Sequence, residues 1–347
     1  MATSLNNAAW MGWLESLMGG GSRQSYAATL PPGRYHCLID ELPLHLIPRR
    51  ALAALSSREP REALFLNPNC IFSSDGLLPD AVAPQRDLLT GFALQGMIAW
   101  VRNPVSETVF PFWLGPQLGA LVRGLRADEA ALSILSEETR ALLSEAGILS
   151  SLDRADRCRR AWGNTIEKSG ALFREKGYAP LACLIPPFHV AALRRYYRHL
   201  IRTGAIRLGD GQSPRRYVAY NEPVARFFHH QIAPVLSAIA GEPLKPSYVY
   251  MASYLSGAEL KKHTDREQCE FSVTLCLDFS PEPTLETPWP IRLDTPNGSV
   301  TVYQALGDGL AYRGTKLPHY RNVLGKGQTS TSIFFHYVAA DFAGSLD

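Results

Sequence analysis

The chain has 347 residues, 46% of them hydrophobic, with Lys and Arg numbering 35 against 32 Asp and Glu, which suits two domains or one large one. A net charge of +3, with basic residues gathered only in short pairs such as Arg49-Arg50, Arg215-Arg216 and Lys261-Lys262, argues against nucleic acid or a membrane surface as partner. No segment has the unbroken apolar length of a membrane span, residues 1–21 lack the charged start of a signal peptide, and six cysteines without C-x-x-C spacing fit a reduced, cytoplasmic chain.

Taken in order, 51–55 and 64–66 are apolar clusters, and 87–101 is largely apolar with Gly91 and Gly96 inside it. The run Phe110-Pro-Phe-Trp-Leu-Gly-Pro116 is expected to be an irregular packed loop. Asp128 can cap a short helix through Leu135, and Ser136 a second through Ala146. Gly147 suits the end of the second, and Ile148-Leu149 can start a strand. Two short helices leading into a strand outline a small winged-helix-like module. Its near-neutral charge suits peptide or protein binding, or scaffolding. The charged stretch from Asp153 to Arg160 sets the expected division: a mixed α/β accessory domain over 1–160, then a second domain over 161–347.

The second domain opens with a strand near 177–184. An amphipathic helix follows over 186–203, with Val190, Leu193, Tyr197, Leu200 and Ile201 set against arginines. Another helix is expected over 221–239. It contains His229 and His230, which point about 100° apart and so are read as one buried and one exposed rather than as a ligand pair.

From there the chain reads as strands. Residues 248–255 are aromatic and aliphatic, and Ser256-Gly257 breaks the run. Over 270–279 alternation places Phe271, Val273, Leu275, Leu277 and Phe279 on one face, and Ser272, Thr274, Cys276 and Asp278 on the other. Further short strands are expected at 291–294, 299–304, 310–313 and 329–338, separated by Pro-Asn-Gly and Gly-Asp-Gly turns. Many short strands of this kind suggest a rolled double-sheet barrel, an α+β fold with supporting helices.

His263-Thr264-Asp265 lies between the first two of these strands, and His319 follows in Leu-Pro-His-Tyr-Arg. In extended chain, residues i and i+2 project to the same side, so His263 and Asp265 can bind one ion while Thr264 points away. Two imidazoles and a carboxylate make one face of a mononuclear iron(II) site and leave the other face open. In a chain with nine histidines the tripeptide alone does not separate a metal site from coincidence. Cys269, close by, reads as a packing residue.

The stretch from about Gly177 to Val338, half the chain, resembles the iron(II)/2-oxoglutarate-dependent oxygenases, in particular the prolyl-hydroxylase-like branch. The resemblance is carried by Tyr254-Leu-Ser-Gly257-Ala-Glu-Leu-Lys-Lys-His263-Thr-Asp265, by Gly307-Asp308-Gly309-Leu-Ala-Tyr312, and by Pro318-His319-Tyr-Arg321 followed by Phe334-Phe335-His336-Tyr337-Val338. It implies a double-stranded β-helix (jelly-roll, cupin-like) barrel and iron held by His263, Asp265 and His319. It also implies 2-oxoglutarate and O2 as cosubstrates, with Tyr254 toward the 2-oxoglutarate. Family members commonly place an Arg or Lys on the closing strand for the far carboxylate. Here 327–332 reads Gly-Gln-Thr-Ser-Thr-Ser, without a cation. Arg321 and Lys326 are the nearest substitutes. Arg321 is favoured, because it shares a strand side with His319 and its fork matches a carboxylate.

By the same resemblance, Arg215, Arg216, Tyr217, Tyr220 and Asn221 lie where substrate-facing residues occur. The implied chemistry is hydroxylation of an unactivated carbon, of an amino acid or peptidyl side chain, with release of succinate and CO2. Halogenases of the family replace the carboxylate ligand by a small residue, so Asp265 favours hydroxylation, desaturation or ring formation. Two other readings stay open: a cupin-like metal protein without redox turnover, and an interaction protein whose barrel is degenerate.

Overall fold

The computed structural model describes residues 25–56, 63–125 and 135–346. In the first half, β1 (Phe65–Leu66) pairs with β5 (Leu149–Ser150), while β2 (Cys70–Ser74), β3 (Met97–Arg102) and β4 (Val109–Leu114) form an antiparallel meander. Helices α1 (Arg49–Ser56), α2 (Pro116–Gly124) and α3 (Glu137–Glu145) lie among them. Then come α4 (Leu152–Lys176), β6 (Tyr178–Leu181), α5 (Pro187–Arg202), β7 (Arg207–Leu208), β8 (Arg216–Tyr220) and α6 (Pro223–Ala240). The last part holds β9 (Leu244–Tyr254), β10 (Leu260–His263), β11 (Phe271–Ser280), β12 (Ile291–Thr295), β13 (Gly298–Val302), β14 (Gly309–Arg313), β15 (His319–Arg321) and β16 (Thr329–Ala339).

Strands β9 to β16 are dealt between two antiparallel sheets. β9, β11, β14 and β16 enter a sheet of order β6-β14-β11-β16-β9-β8-β7, and β10, β12, β13 and β15 form a second of order β10-β15-β12-β13. Local chemistry places the helices that pack on the large sheet. Pro187 occupies the first turn of α5, where its missing N–H costs nothing. The Glu222 carboxylate caps α6 by accepting from the Val224 and Ala225 amides, and Gly241 closes that helix at φ +80°.

The alternation expected along β11 holds only to Cys276. The register against β16 passes from Cys276–Ser332 to Asp278–Thr331, so Leu277 is the extra residue of a bulge. The bulge reverses the sides. Phe279 turns inward to the cluster of Tyr254, Trp289 and Phe334, and Asp278 turns out to the helices. There its carboxylate accepts from Arg194 at 2.9 Å and from Arg198 at 2.6 and 2.8 Å.

One apolar cluster runs from the first half through α5 and α6 to the outer face of the large sheet. It joins Tyr35, Trp100 and Trp113 to Phe188, Phe227 and Phe228, and those to Met251, Leu275 and Phe335. Each large apolar side chain so buried contributes about 1.5–3 kcal/mol. Polar contacts lock the same seam: Tyr35 Oη lies 2.7 Å from His189 Nδ1, and the Gln231 side chain accepts from the Val109 amide at 2.7 Å. His229 is buried and His230 exposed, as the helical spacing required.

Two expectations for the first half need revision or restriction. Residues 109–114 are strand rather than irregular loop, because β4 is an edge strand and tolerates Pro111 opposite Trp100. Of the two expected helices, the one at 128–135 lies outside the described residues. The other forms as α3, with Ser136 Oγ accepting from the Thr139 amide at 3.2 Å and Gly147 at φ +76°. The strand after it pairs backward with Phe65–Leu66, and the described residues of this half are organised around the β2-β3-β4 meander. The division expected at 160/161 falls within α4. No helix among the described residues is long and apolar enough to cross a membrane, and all six cysteines are free.

Candidate metal centre

β10 and β15 run antiparallel with His263 directly opposite His319, so two imidazoles 56 positions apart in the chain meet with ring centres 4.4 Å apart. Past the end of β10 the Asp265 amide donates to Gly314 O at 2.9 Å, which fixes the carboxylate beside them. Asp265 Oδ1 stands 3.6 Å from His263 Nε2 and 3.5 Å from His319 Nε2. Three atoms bound to one ion at about 2.1 Å would lie about 3.0–3.4 Å apart, so the set needs little adjustment to hold a metal.

The hydrogen bonds around the three residues choose which atoms face the ion. His263 Nδ1 lies 2.7 Å from Lys261 O, and His319 Nδ1 lies 3.0 Å from Leu317 O. A carbonyl only accepts, so each Nδ1 carries the hydrogen and each Nε2 presents a lone pair. The Ser272 hydroxyl donates to Asp265 Oδ2 at 3.1 Å and lies 2.8 Å from His336 Nδ1. A Cβ on Gly314 would come within 2.3 Å of Asp265 Oδ2 and 2.4 Å of Cys269 O, so only glycine lets the carboxylate sit there.

The three groups are coupled electrostatically, and without an ion the space between them favours a proton. Burial works to raise the Asp265 carboxyl, yet contact with His263 and the nearby His319 and His336 hold it below the usual carboxylate range. The same contact holds His263 above its ordinary value, and burial pulls His319 below.

Asp265, Cys269 and His336 also converge closely enough for an ion. Burial pushes the Cys269 thiol up to about 12, however, and its sulfur is engaged 2.9 Å from Tyr248 Oη. It stays a protonated packing residue, as the sequence suggested.

The two sheets enclose a cavity of about 460 Å³ into which His263, Asp265 and His319 open. Tyr254 lines it, buried, with its ring 5.1 Å from Trp289. Arg321 is also buried, just behind: its guanidinium lies 4.8 Å from the Trp289 ring, donates to Trp289 O, and reaches Gln304 Oε1 at 3.3 Å. Arg321 Nε is buried without a partner, and no acid forms an ion pair with this arginine among the described residues. Lys326 is exposed in the 325–328 turn, and neither it nor Arg321 is among the residues that line the cavity.

Of the five residues expected to face substrate, Arg216 and Tyr220 line the cavity. Arg215 donates to Ser256 O, Asn221 accepts from the Val249 amide, and Tyr217 packs on the outer apolar cluster. Arg216 is held by Asp210 Oδ2 at 3.1 and 2.6 Å and donates to Tyr254 Oη at 3.3 Å. Sequence reasoning missed Asp210, Ser272, Gly314 and His336. For Ser272 the inward parity on β11 was a usable signal; the other three depend on pairings distant in the chain.

No family model and no curated protein matches this chain. Solved structures do resemble it. One is the non-heme α-ketoglutarate-dependent epimerase SnoN of nogalamycin biosynthesis, 16% identical over 51% of this chain and 84% of that one, with TM-score 0.44. Another is a prolyl-4-hydroxylase of Pseudomonas putida (18%, covering 50% and 99%, TM-score 0.41). A third is HygX of Streptomyces hygroscopicus with nickel, 2-oxoglutarate and hygromycin B bound (11%, covering 50% and 88%, TM-score 0.42). At these identities the chemistry has to be argued from this chain's own residues.

Proposed function

We propose that the protein is an iron(II)- and 2-oxoglutarate-dependent dioxygenase built on a double-stranded β-helix of the prolyl-hydroxylase-like branch, acting in a reducing, cytoplasmic setting. The observation that carries this reading is the convergence of three ligand atoms on one cavity, with both imidazoles locked through Nδ1. Behind that cavity Arg321 is buried with no acid paired to it among the described residues. A buried cation without a counter-charge is costly, and the far carboxylate of 2-oxoglutarate would supply one.

In this reading His263, Asp265 and His319 hold the iron. Bound iron with 2-oxoglutarate and O2 supplies a two-electron oxidation, releasing succinate and CO2. Ser272 and His336 steady Asp265 Oδ2, so that Oδ1 alone faces the metal. The far carboxylate is assigned to Arg321, whose Nε has no partner, and reaches it past Tyr254. The walls exclude water, and Arg216, Tyr220 and Tyr248 orient the substrate. A volume of about 460 Å³ accommodates the cosubstrate together with a group the size of an amino-acid side chain. The outcome proposed is hydroxylation of an unactivated carbon of an amino acid or peptidyl side chain, in keeping with a retained carboxylate ligand.

The test is anaerobic loading with iron(II), metal analysis, and addition of 2-oxoglutarate while visible charge-transfer absorption is followed. Air is then admitted and succinate measured. Iron binding with neither the absorption change nor succinate would leave a metal protein without this chemistry.

A further inference from the structure

A second cavity, of about 590 Å³, lies on the far side of the helical layer, between the 27–46 segment and the exposed flank of α5. Its lining contains Arg34, Arg195, Arg198 and Arg202 and, among the described residues, no aspartate or glutamate, although Glu41 acts on Arg195 from outside the lining. His36, His45 and His199 add three imidazoles. In a chain whose net charge is only +3, this is a strong local concentration of one sign.

Ordinary surface chemistry accounts for part of it. Arg198 is neutralised by Asp278, and Arg202 with His199 sits in the last turn of α5, where the helix dipole favours cations. The remainder lacks such an account. Arg34, Arg195 and Arg202 have no ion pair among the described residues. Arg195, Arg198 and Arg202 follow one another at helical spacing of three and four, so like charges stack along one face and repel. Arg195 is half-buried, its Nη2 donating to His36 O at 2.7 Å, and burial pulls its guanidinium below the ordinary value. His36 Nδ1 lies 3.3 Å from Arg34 O, and its Nε2 is buried with no partner. Leu30, Pro31 and Leu46 of the 27–46 segment add apolar lining.

We propose that this cavity binds a small molecule bearing a phosphate or pyrophosphate group on an apolar body. A planar monocarboxylate is matched by a single guanidinium fork. Guanidiniums from the 27–46 segment and from α5, hydrogen-bonded to Thr90 O, His36 O and His199 but without an acid paired to them among the described residues, suit a tetrahedral anion of higher charge. The apolar lining from Leu30, Pro31 and Leu46 takes the uncharged part of the ligand. This site is separate from the metal centre and does not depend on the reaction proposed there.

The test is calorimetric titration of the metal-free full-length protein, at low salt, with inorganic phosphate, pyrophosphate, phenyl phosphate and acetate. We expect saturable one-to-one binding, with pyrophosphate and phenyl phosphate tighter than phosphate and with no acetate binding. Arg202→Glu and Arg34→Glu should each weaken pyrophosphate by about tenfold or more, since each removes a charge-assisted contact. Lys326→Glu, an equal change of charge on the surface elsewhere, should leave it unaltered. Circular dichroism keeps loss of fold apart from loss of binding. Absence of saturable binding at millimolar probe would overturn the proposal, as would equal weakening by Lys326→Glu. Loss of binding in Arg216→Ala with Arg202→Glu unaffected would place the anion in the first cavity and equally overturn it.

Discussion

Ser272 Oγ donates to Asp265 Oδ2 across 3.1 Å, while Oδ1 of the same carboxylate faces the Nε2 atoms of His263 and His319. One hydroxyl on β11 thus decides which carboxylate oxygen is left for a metal. The same hydroxyl lies 2.8 Å from His336 Nδ1, so β16 steadies the arrangement as well.

His263→Ala, Asp265→Ala and His319→Ala should each abolish iron retention while leaving circular dichroism and thermal unfolding close to those of the parent. Ser272→Ala should retain the fold and weaken iron by about 10–100-fold, the usual scale for removing a partner that orients a ligand. Gly314→Ala should lose iron outright, because its methyl group occupies the space of Asp265 Oδ2. Metal analysis after dialysis against a weak chelator reads all five. Wild-type retention by His319→Ala would remove the triad assignment.

Arg321→Ala should raise the apparent KM for 2-oxoglutarate by two orders of magnitude or more. Breaking a buried charge pair costs about 3–5 kcal/mol, and about 1.4 kcal/mol is a factor of ten. Arg321→Lys should recover only part, since an ammonium cannot make the two parallel contacts. Lys326→Ala should behave as the parent. A larger defect in Arg216→Ala than in Arg321→Ala would make the cavity-lining arginine the carboxylate partner.

Stability should fall with acid in a way traceable to His189. Full burial pulls its imidazole down to about 3, whereas in the unfolded chain it titrates near its ordinary 6.5. Between those values the unfolded chain binds the extra proton, so stability rises with pH there and is lost as pH falls below 6.5. The contribution approaches about 1.4 kcal/mol per pH unit. Urea unfolding at several pH values from 7 to 5 should show a shallower slope for His189→Gln than for the parent. Identical slopes would contradict this assignment.

A chain beginning at Asn164 should be insoluble or expanded. It would cut α4 and strip Trp100, Trp113 and Tyr35 from Phe188, Phe227 and Phe228, which share one apolar cluster. Size-exclusion chromatography and dye binding to exposed apolar surface check this. A compact, soluble product that releases succinate normally would show the first half to be dispensable.

Local rules decided much of this protein. Residues two apart in extended chain share a side, which was enough to bring His263 and Asp265 together. The periodicities of 2 and 3.6 located β9, β11 to β14, β16 and helices α5 and α6 but not the short β10 and β15, and Ser136 and Gly147 marked the ends of α3. What tertiary structure decided was everything that depends on register and on distant neighbours. One extra residue at Leu277 reversed the faces of β11, sending Phe279 inward and Asp278 out to Arg194 and Arg198. An edge position let Pro111 stand in a strand. Arg321 and Arg216 look alike in sequence, but the fold gave Arg216 the Asp210 carboxylate and left Arg321 buried without an acid among the described residues. The charge partner of a side chain is set by which strands lie beside it, and spacing along the chain does not contain that.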